Sequence, residues 1–161
     1  FGSVLDIGCG TGLAALPFRP FSDWMGGVDL SAAMLAQARG KGLYDRGIEA
    51  EVLHYLTEEA KIGARYHLVL AADVFMYFDN IEPVLKSAAQ VLAPVGQLAF
   101  SVETHDGDGI LLRETLRYAH GQAHVQQAVA AAGLKPVSLA SASTRMEKGV
   151  PVPGLIVLAT H

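Results

Sequence analysis

The chain has little cysteine, no cluster of basic residues and no long apolar run. Its one cysteine excludes an internal disulfide and is typical of a reducing compartment, so we expect a cytoplasmic protein. With 12 Lys and Arg against 16 Asp and Glu, the net charge is −4, which gives no support to a nucleic-acid partner. No apolar run approaches the roughly 20 residues of a membrane span, so we expect no membrane partner either.

Apolar residues are abundant and occupy 51% of the 161 positions. That share fits one domain over residues 1–161, built on a parallel sheet that is covered on both faces. Strand-like and helix-like segments alternate, which predicts an α/β, Rossmann-like fold with right-handed crossovers. We expect seven strands, near residues 3–7, 25–29, 48–53, 67–72, 96–102, 137–142 and 155–160.

Proline and glycine set the ends of the predicted helices. Pro151 and Pro153 break the short connection between the last two strands, so we expect a hairpin and an antiparallel last strand. The chain begins with Phe1, almost inside its first strand, and we expect the full protein to have a further N-terminal part. The predicted helices are a short one at 13–16 ended by Pro17, one from Ser31 to Gly40, one from Asp79 or Asn80 to about 92, and one around 125–132.

Three glycines at alternate positions follow the first predicted strand. Gly8, Gly10 and Gly12 lack a Cβ atom, so a ligand can pack directly against the main chain there. Asp6 precedes the first of them by two residues, and Cys9 lies between the first two as a small packing residue. The sequence therefore predicts a binding loop at the end of the first strand.

The spacing of these glycines separates two classes of ligand. Dinucleotide-binding folds use G-x-G-x-x-G, and here the third glycine comes one residue early, which disfavours NAD. The pattern D-x-G-x-G-x-G, from Asp6 to Gly12, resembles the first motif of class I methyltransferases that use S-adenosylmethionine (SAM). The resemblance implies that SAM is the cofactor and that Asp6, Gly8, Cys9, Gly10 and Gly12 belong to its binding site.

A second anchor for the cofactor is expected at the end of the second strand. Asp29 follows Gly12 by 17 residues, at the position where an α/β nucleotide site accepts hydrogen bonds from ribose hydroxyls. The alternative is an ordinary turn residue. Leu30 and Met34 are expected to contact adenine. Either Glu51 or His54 can reach its exocyclic nitrogen, and Glu51 is preferred because a carboxylate only accepts.

The resemblance extends over nearly the whole chain and implies the strand order 3-2-1-4-5-7-6 of that family. Residues 71–75, 99–103 and 117–120 are similar to predicted methyltransferases that are often joined to tetratricopeptide repeats, although no such repeat lies in this sequence. Ala72 and Asp73 end the fourth strand, where the family places the transferable methyl group. Two departures, Val95 for a usual glycine and Pro17 in a usually continuous helix, concern packing around the site.

Methyl transfer from a sulfonium depends mainly on alignment and the exclusion of water, and a general base helps when the acceptor must lose a proton. The candidate bases are Asp73, Glu103, His105, Tyr118 and His120. Asp73 is the best placed, at the carboxyl end of a strand, with capping of the following turn as its alternative role, and Tyr118 and His120 are the other two proposed catalytic residues. We also expect residues 106–124 to form part of the acceptor site, with Arg117, Tyr118 and His120 facing it. The alternative for that segment is a solvated helix face.

The sequence predicts no metal site, since His105, Asp106 and Asp108 fit a solvated loop better than a ligand set. It also lacks the cysteine and the Asn-Pro-Pro-Tyr motif of nucleic-acid methyltransferases after the fourth strand. We therefore predict a methyltransferase that acts on a small-molecule acceptor. Two alternatives stay open: an NAD-dependent oxidoreductase, and a module that binds SAM without transferring its methyl group.

Overall fold

A nine-stranded sheet runs through the computed structural model, which describes residues 1–161. The strands are β1 (Ser3–Ile7), β2 (Trp24–Asp29), β3 (Arg46–Glu49), β4 (Tyr66–Ala71), β5 (Leu92–Glu103), β6 (Ile110–Leu112), β7 (Tyr118–His120), β8 (Lys135–Glu147) and β9 (Val150–Thr160). The helices are α1 (Ala32–Gly40), α2 (Val52–Lys61), α3 (Glu82–Gln90) and α4 (Gln122–Ala131), with single 3-10 turns at Arg19–Phe21 and Phe75–Tyr77. None of the helices is long and apolar enough to cross a membrane.

The main part of the sheet has the order β3-β2-β1-β4-β5-β9-β8. The first five strands are parallel, and β9 pairs antiparallel with β5 on one side and with β8 on the other. The predicted fold class is therefore confirmed, including the antiparallel end of the sheet. The last two strands are longer than expected and meet in a tight turn at Lys148 and Gly149.

Two short strands, β6 and β7, were not predicted. They form an antiparallel hairpin, and β7 joins the main sheet through one parallel pair, Glu103 with Ala119. Because β9 occupies the other edge of β5 from Gln97 to Glu103, β7 must use the edge that β4 vacates after Ala71. The hairpin therefore stands beyond the carboxyl end of β4, where a ligand site is expected.

Two other segments differ from the sequence-based prediction. Residues 13–16 form turns and not a helix, since Pro17 leaves too few residues to complete one. The third strand ends at Glu49, and residues 52–53, which were assigned to it, begin α2. The carboxylate of Glu51 caps that helix by accepting hydrogen bonds from the N–H groups of Leu53 and His54 at 2.9 and 2.7 Å.

The two faces of the sheet are covered unequally. On β1, Leu5 and Ile7 belong to a cluster of 28 buried residues that packs under α2, α3 and α4. Val4 faces the other way, into a cluster of only 6 buried residues covered by the segments around Ala15 and Leu43. Strand alternation places Asp6 on this second face as well, within the loop-covered side of the domain.

Candidate active site

The glycine-rich loop after β1 packs directly against the segment that follows β4. Gly8 has a φ of +66°, and a Cβ atom there would lie 2.3 Å from Cγ2 of Val74, so only glycine fits. The backbone N–H of Gly10 donates a hydrogen bond to Oδ2 of Asp29 at 2.8 Å. The loop is thus held between the ends of β2 and β4, and a Cβ atom at Gly10 would meet only Sδ of Met34, at 3.7 Å.

Asp29 also organises the turn into α1. Its Oδ1 accepts a hydrogen bond from the N–H of Ser31 at 2.8 Å, so each carboxylate oxygen has one backbone donor. The carboxylate is partly exposed, and each oxygen keeps acceptor capacity for a further hydrogen bond. Asp29 therefore holds the glycine-rich loop and the start of α1 in place. It can also accept a further hydrogen bond from a ligand at the edge of the sheet.

A cavity of about 530 Å³ opens beside this loop, at the carboxyl ends of β1, β2 and β4. Among the residues proposed from the sequence, it is lined by Gly8, Gly10, Asp29, Leu30, Met34, Glu51 and Asp73. Leu30 and Met34 are 69% and 45% exposed, so their apolar surfaces are free to contact a ligand. Glu51 lines the cavity and His54 does not, which favours the glutamate as the polar group there.

Five lining residues were not among the predicted site residues. They are Ser31, Val52, Val74, Tyr77 and Phe78. Val52 was not predicted as a site residue because it was assigned to the third strand. The aromatics Tyr77 and Phe78 follow the candidate base Asp73 by four and five residues, and that position after the fourth strand was the signal that could have identified them.

Three predicted cofactor residues lie behind the cavity wall. Asp6, Cys9 and Gly12 are buried and do not line it. The hydroxyl of Tyr44 donates a hydrogen bond to Oδ2 of Asp6 at 2.6 Å, whereas Oδ1 has no partner. Burial raises the pKa of the Asp6 carboxyl to about 7 and that of the Cys9 thiol to about 12, so Cys9 stays a protonated packing residue.

A second, mainly apolar cavity of about 310 Å³ adjoins the first. Ala72 and Asp73 line it together with residues of β5, β8 and β9 and the side chains of Ala14 and Phe18. Asp73 is the residue that lines both cavities. Its position therefore marks the boundary between two compartments, one beside the glycine loop and one beyond β4.

The backbone of Asp73 is held in an uncommon conformation. Its φ is +54°, in the left-handed region that non-glycine residues adopt mainly as Asn or Asp, and its N–H donates to Oγ of Ser101 at 3.0 Å. Desolvation raises the pKa of its carboxyl above the usual range, and the nearby Arg145 guanidinium opposes that rise. A raised pKa makes this carboxylate a stronger base at the junction of the cavities.

The two other proposed catalytic residues occupy β7. His120 is 0% exposed, lines neither cavity and stacks on His124 with ring centroids 5.7 Å apart. Burial lowers the pKa of this histidine, and the backbone of Phe75 and Phe78 opposes that shift. We therefore correct the expectation that His120 faces the acceptor: it is a buried support of the hairpin. Tyr118 is half-buried and lines neither cavity.

The loop at His105–Asp108 is organised by its own hydrogen bonds. Nδ1 of His105 accepts from the N–H of Gly107 at 3.1 Å, and Nε2 lies 3.2 Å from the carbonyl oxygen of Gly109. No group of three or more His, Cys, Asp or Glu side chains lies close enough together to hold a metal ion.

Comparison with protein families assigns the chain. A family model described as "Methyltransferase domain" matches residues 5–98, more than half of the sequence. The chain belongs to this methyltransferase family, so the predicted class of protein is confirmed. That family also favours methyl transfer over the NAD-dependent alternative.

Relatives and solved structures agree with that assignment. Ubiquinone biosynthesis O-methyltransferases of Salmonella arizonae and Klebsiella pneumoniae are 30% and 29% identical over 111 residues, which are 68% of this chain and 46% of theirs. The chain thus spans about half the length of these curated relatives.

Two solved structures share the fold. A SAM-dependent methyltransferase from Leishmania major has a TM-score of 0.78 at 16% identity, over 99% of this chain and 64% of that chain. Magnesium protoporphyrin IX methyltransferase from Synechocystis PCC 6803, solved with bound SAM, has a TM-score of 0.72 at 19% identity, over 97% and 68%.

Proposed function

We propose that the protein binds SAM in the cavity beside Gly10 and transfers its methyl group to a small-molecule acceptor in the adjoining cavity. The observation that carries this proposal is the position of Asp73, which lines both cavities. A transferable group must lie at the boundary between donor and acceptor sites, and here that boundary has one carboxylate. The aligned compartments supply the proximity that methyl transfer requires.

The residues of the first cavity fit the cofactor. Its volume of about 530 Å³ suits a ligand of nucleoside size, and Gly10, which lines it without a side chain, admits close backbone contact. Asp29 has acceptor capacity for ribose hydroxyls, while Leu30 and Met34 offer exposed apolar surface to adenine.

When bound, the cofactor supplies a methyl group already activated by a sulfonium. What the chain adds is orientation, exclusion of water and a base. The mainly apolar second cavity, formed in part by Phe18, Ala99 and Ile156, excludes water from an apolar or aromatic acceptor. Asp73 accepts the proton of a hydroxyl acceptor, an assignment that fits its raised pKa and its place between the cavities. Its alternative, a turn cap alone, leaves the carboxylate out of the reaction.

The names of the curated relatives favour an oxygen atom as the methyl acceptor of this chain as well. We also propose a cytoplasmic location, because a chain with one cysteine and no internal disulfide is typical of a reducing compartment. We further propose that the chain is related to the methyltransferases that are often joined to tetratricopeptide repeats. Residues 71–75, 99–103 and 117–120 support this narrower resemblance.

Calorimetric titration with S-adenosylhomocysteine (SAH), the demethylated product, tests the cofactor site. We expect one site per chain and a rise in the thermal midpoint, because a ligand selective for the folded state adds roughly 2.7 kcal/mol at a hundred times its Kd. NAD serves as the matched control ligand. Failure to bind SAH, or tighter binding of NAD, contradicts the proposal.

A second measurement separates an enzyme from a module that only binds SAM. Incubation with methyl-labelled SAM and fractionated small-molecule extracts should place the label in one acceptor. Binding of SAH without any transfer across all fractions would support the non-catalytic alternative.

A further inference from the structure

Three arginines converge on one buried carboxylate beside the second cavity. Glu103 ends β5, is 1% exposed, and its Oε1 accepts a hydrogen bond from Nε of Arg145 at 2.8 Å. Nε of Arg113 lies 3.5 Å from Oε2, and a terminal nitrogen of Arg117 lies 3.9 Å from Oε1. One guanidinium is enough to neutralise a buried carboxylate, so the other two need a further explanation.

The β6–β7 hairpin brings two of these arginines together. The N–H of Arg113 donates to the carbonyl oxygen of Arg117 at 2.9 Å, which closes the turn directly after the paired residues Leu112 and Tyr118. Within the turn, Leu116 adopts a φ of +59°. The turn closed in this way places the guanidiniums of Arg113 and Arg117 beside the end of β5.

The hydrogen bonds of the cluster are unevenly distributed. Arg145 donates to Glu103 and to Glu147, and Arg113 donates to the carbonyl oxygen of Thr104. Arg117 donates no hydrogen bond within the protein, although its side chain is only 29% exposed. Its guanidinium stays charged at any physiological pH and carries five N–H donors in a fixed fork. The Arg117 guanidinium is therefore charged, partly open to solvent and not hydrogen-bonded within the protein, so it is able to bind a further anion.

The cluster borders the two cavities. The guanidinium carbon of Arg117 lies 6.0 Å from the ring centroid of Tyr77, which lines the first cavity. Arg145 directly follows Ser143 and Thr144, which line the second cavity. Asp73, at the boundary, feels the charges of both Arg117 and Arg145. Arg145 is therefore next to the second cavity, in which the proposed acceptor binds, and Arg117 lies beside Tyr77 at the wall of the first.

We propose that this cluster binds an oxyanion, a carboxylate or a phosphate, of the methyl acceptor, with Arg117 as its main donor. The proposal rests on the proposed function and names the acceptor's chemical class: an apolar or aromatic body with one anionic group. The acids that face the cluster are Glu103, Glu147 and Asp73. The first two are hydrogen-bonded to Arg145, so Arg117 is the guanidinium left for a ligand.

Matched probes test this class directly. Benzoate and neutral benzamide have the same shape, and phenyl phosphate separates a carboxylate site from a phosphate site. With SAH-saturated protein at low salt, we expect benzoate or phenyl phosphate to bind at least about tenfold tighter than benzamide, as for one charge-assisted hydrogen bond. The same titrations on cofactor-free protein keep the anion site measurable even if SAH does not bind.

Arg117→Gln is the informative variant. Because Arg117 makes the longest of the three contacts with Glu103, its loss leaves Arg145 and Arg113 to neutralise that carboxylate. We expect about a tenfold loss of affinity for the anionic probe and no change for benzamide. Arg65→Gln, at the other end of the sheet, is the control. Arg117→Lys keeps the charge but loses the fork, and we expect a loss of about threefold.

The outcomes separate the two proposals. Equal binding of the anionic and neutral probes, or an anion preference that survives Arg117→Gln in a folded protein, overturns the oxyanion site. Absence of SAH binding with an intact anion preference overturns only the proposed function. If Arg117→Gln unfolds, the Arg117→Lys comparison decides the matter, and unchanged affinity there counts against the site.

Discussion

The N–H of Gly10 and Oδ2 of Asp29 are joined by a 2.8 Å hydrogen bond that links the loop after β1 to the end of β2. The acid proposed to hold the ribose therefore also fixes the loop proposed to hold the rest of the cofactor. Affinity and loop geometry depend on the same carboxylate, and variants of Asp29 must be examined for both.

Asp29→Ala should weaken SAH binding about tenfold to a hundredfold, because charge-assisted hydrogen bonds contribute roughly 1.5–3 kcal/mol. It should also lower the thermal midpoint, since the N–H groups of Gly10 and Ser31 lose their acceptor. Calorimetry and thermal unfolding measure the two effects. Asp23→Ala, just before the opposite end of β2, is the control. A lower midpoint with unchanged affinity would show that Asp29 is only structural.

Gly8→Ala and Gly10→Ala should differ in their main effect. Both glycines have a positive φ, which costs an alanine roughly 1 kcal/mol or more. Only at Gly8 does the added Cβ also collide with Val74, so Gly8→Ala should lower the thermal midpoint much further. Gly10→Ala should mainly reduce SAH affinity by filling the space beside the loop. Equal midpoints in the two variants would contradict this reading of the loop.

Because of the Asp6 carboxyl, the free energy of unfolding should decrease as pH rises. Burial raises the pKa of this acid from 3.8 to about 7, so between those values the unfolded chain releases a proton that the folded protein keeps. Asp6→Asn stays neutral, and its midpoint relative to wild type should therefore increase from pH 5 to pH 8. The Arg19 guanidinium lowers the pKa of Asp45, so Asp45→Asn should show a constant difference over this range. A constant difference for Asp6→Asn would refute the assignment.

His120 should act in the opposite direction. Burial lowers its pKa below the usual 6.5, so the unfolded chain takes up a proton first as the solution is acidified. The free energy of unfolding should therefore decrease as pH falls through 6.5, and His120→Phe should reduce that dependence. Urea titrations at pH 7.5 and 5.5 measure it, with exposed His54→Phe as the control. Equal pH dependence in wild type and His120→Phe would rule out His120 as the cause.

Local signals were sufficient for the parallel half of the sheet and for its last hairpin. The glycines from Gly8 to Gly12 and the two prolines before Gly154 act through backbone conformation, which a short stretch of sequence determines. The prediction from sequence placed the end of the third strand too late, because Val52 and Leu53 are apolar. The cap formed by Glu51, a glutamate where serine or aspartate is more common, decides that boundary.

The acceptor side could not be predicted in the same way. β6 and β7 have three residues each and depend on pairing with each other and with Glu103. His120 looks like a functional residue in the sequence, yet β7 turns it into the interior. Glu103 and Arg145 are 42 residues apart, and only the return of β8 and β9 to β5 brings them into contact. Contacts of that sequence separation are decided by topology and not by local propensity.

The β6–β7 hairpin joins the main sheet through the strand pair Glu103 and Ala119, and its other ties are side-chain contacts of Arg113, Arg117 and Thr104. Replacing residues between β5 and α4 while keeping Arg113 and Arg117 on Glu103 would change the surface beside the proposed acceptor site, and the glycine loop and Asp29 would keep their supports. Selectivity in this domain can therefore diverge by exchange of one short hairpin. Grafting a different hairpin at this position is the direct route to redirecting the enzyme toward another acceptor.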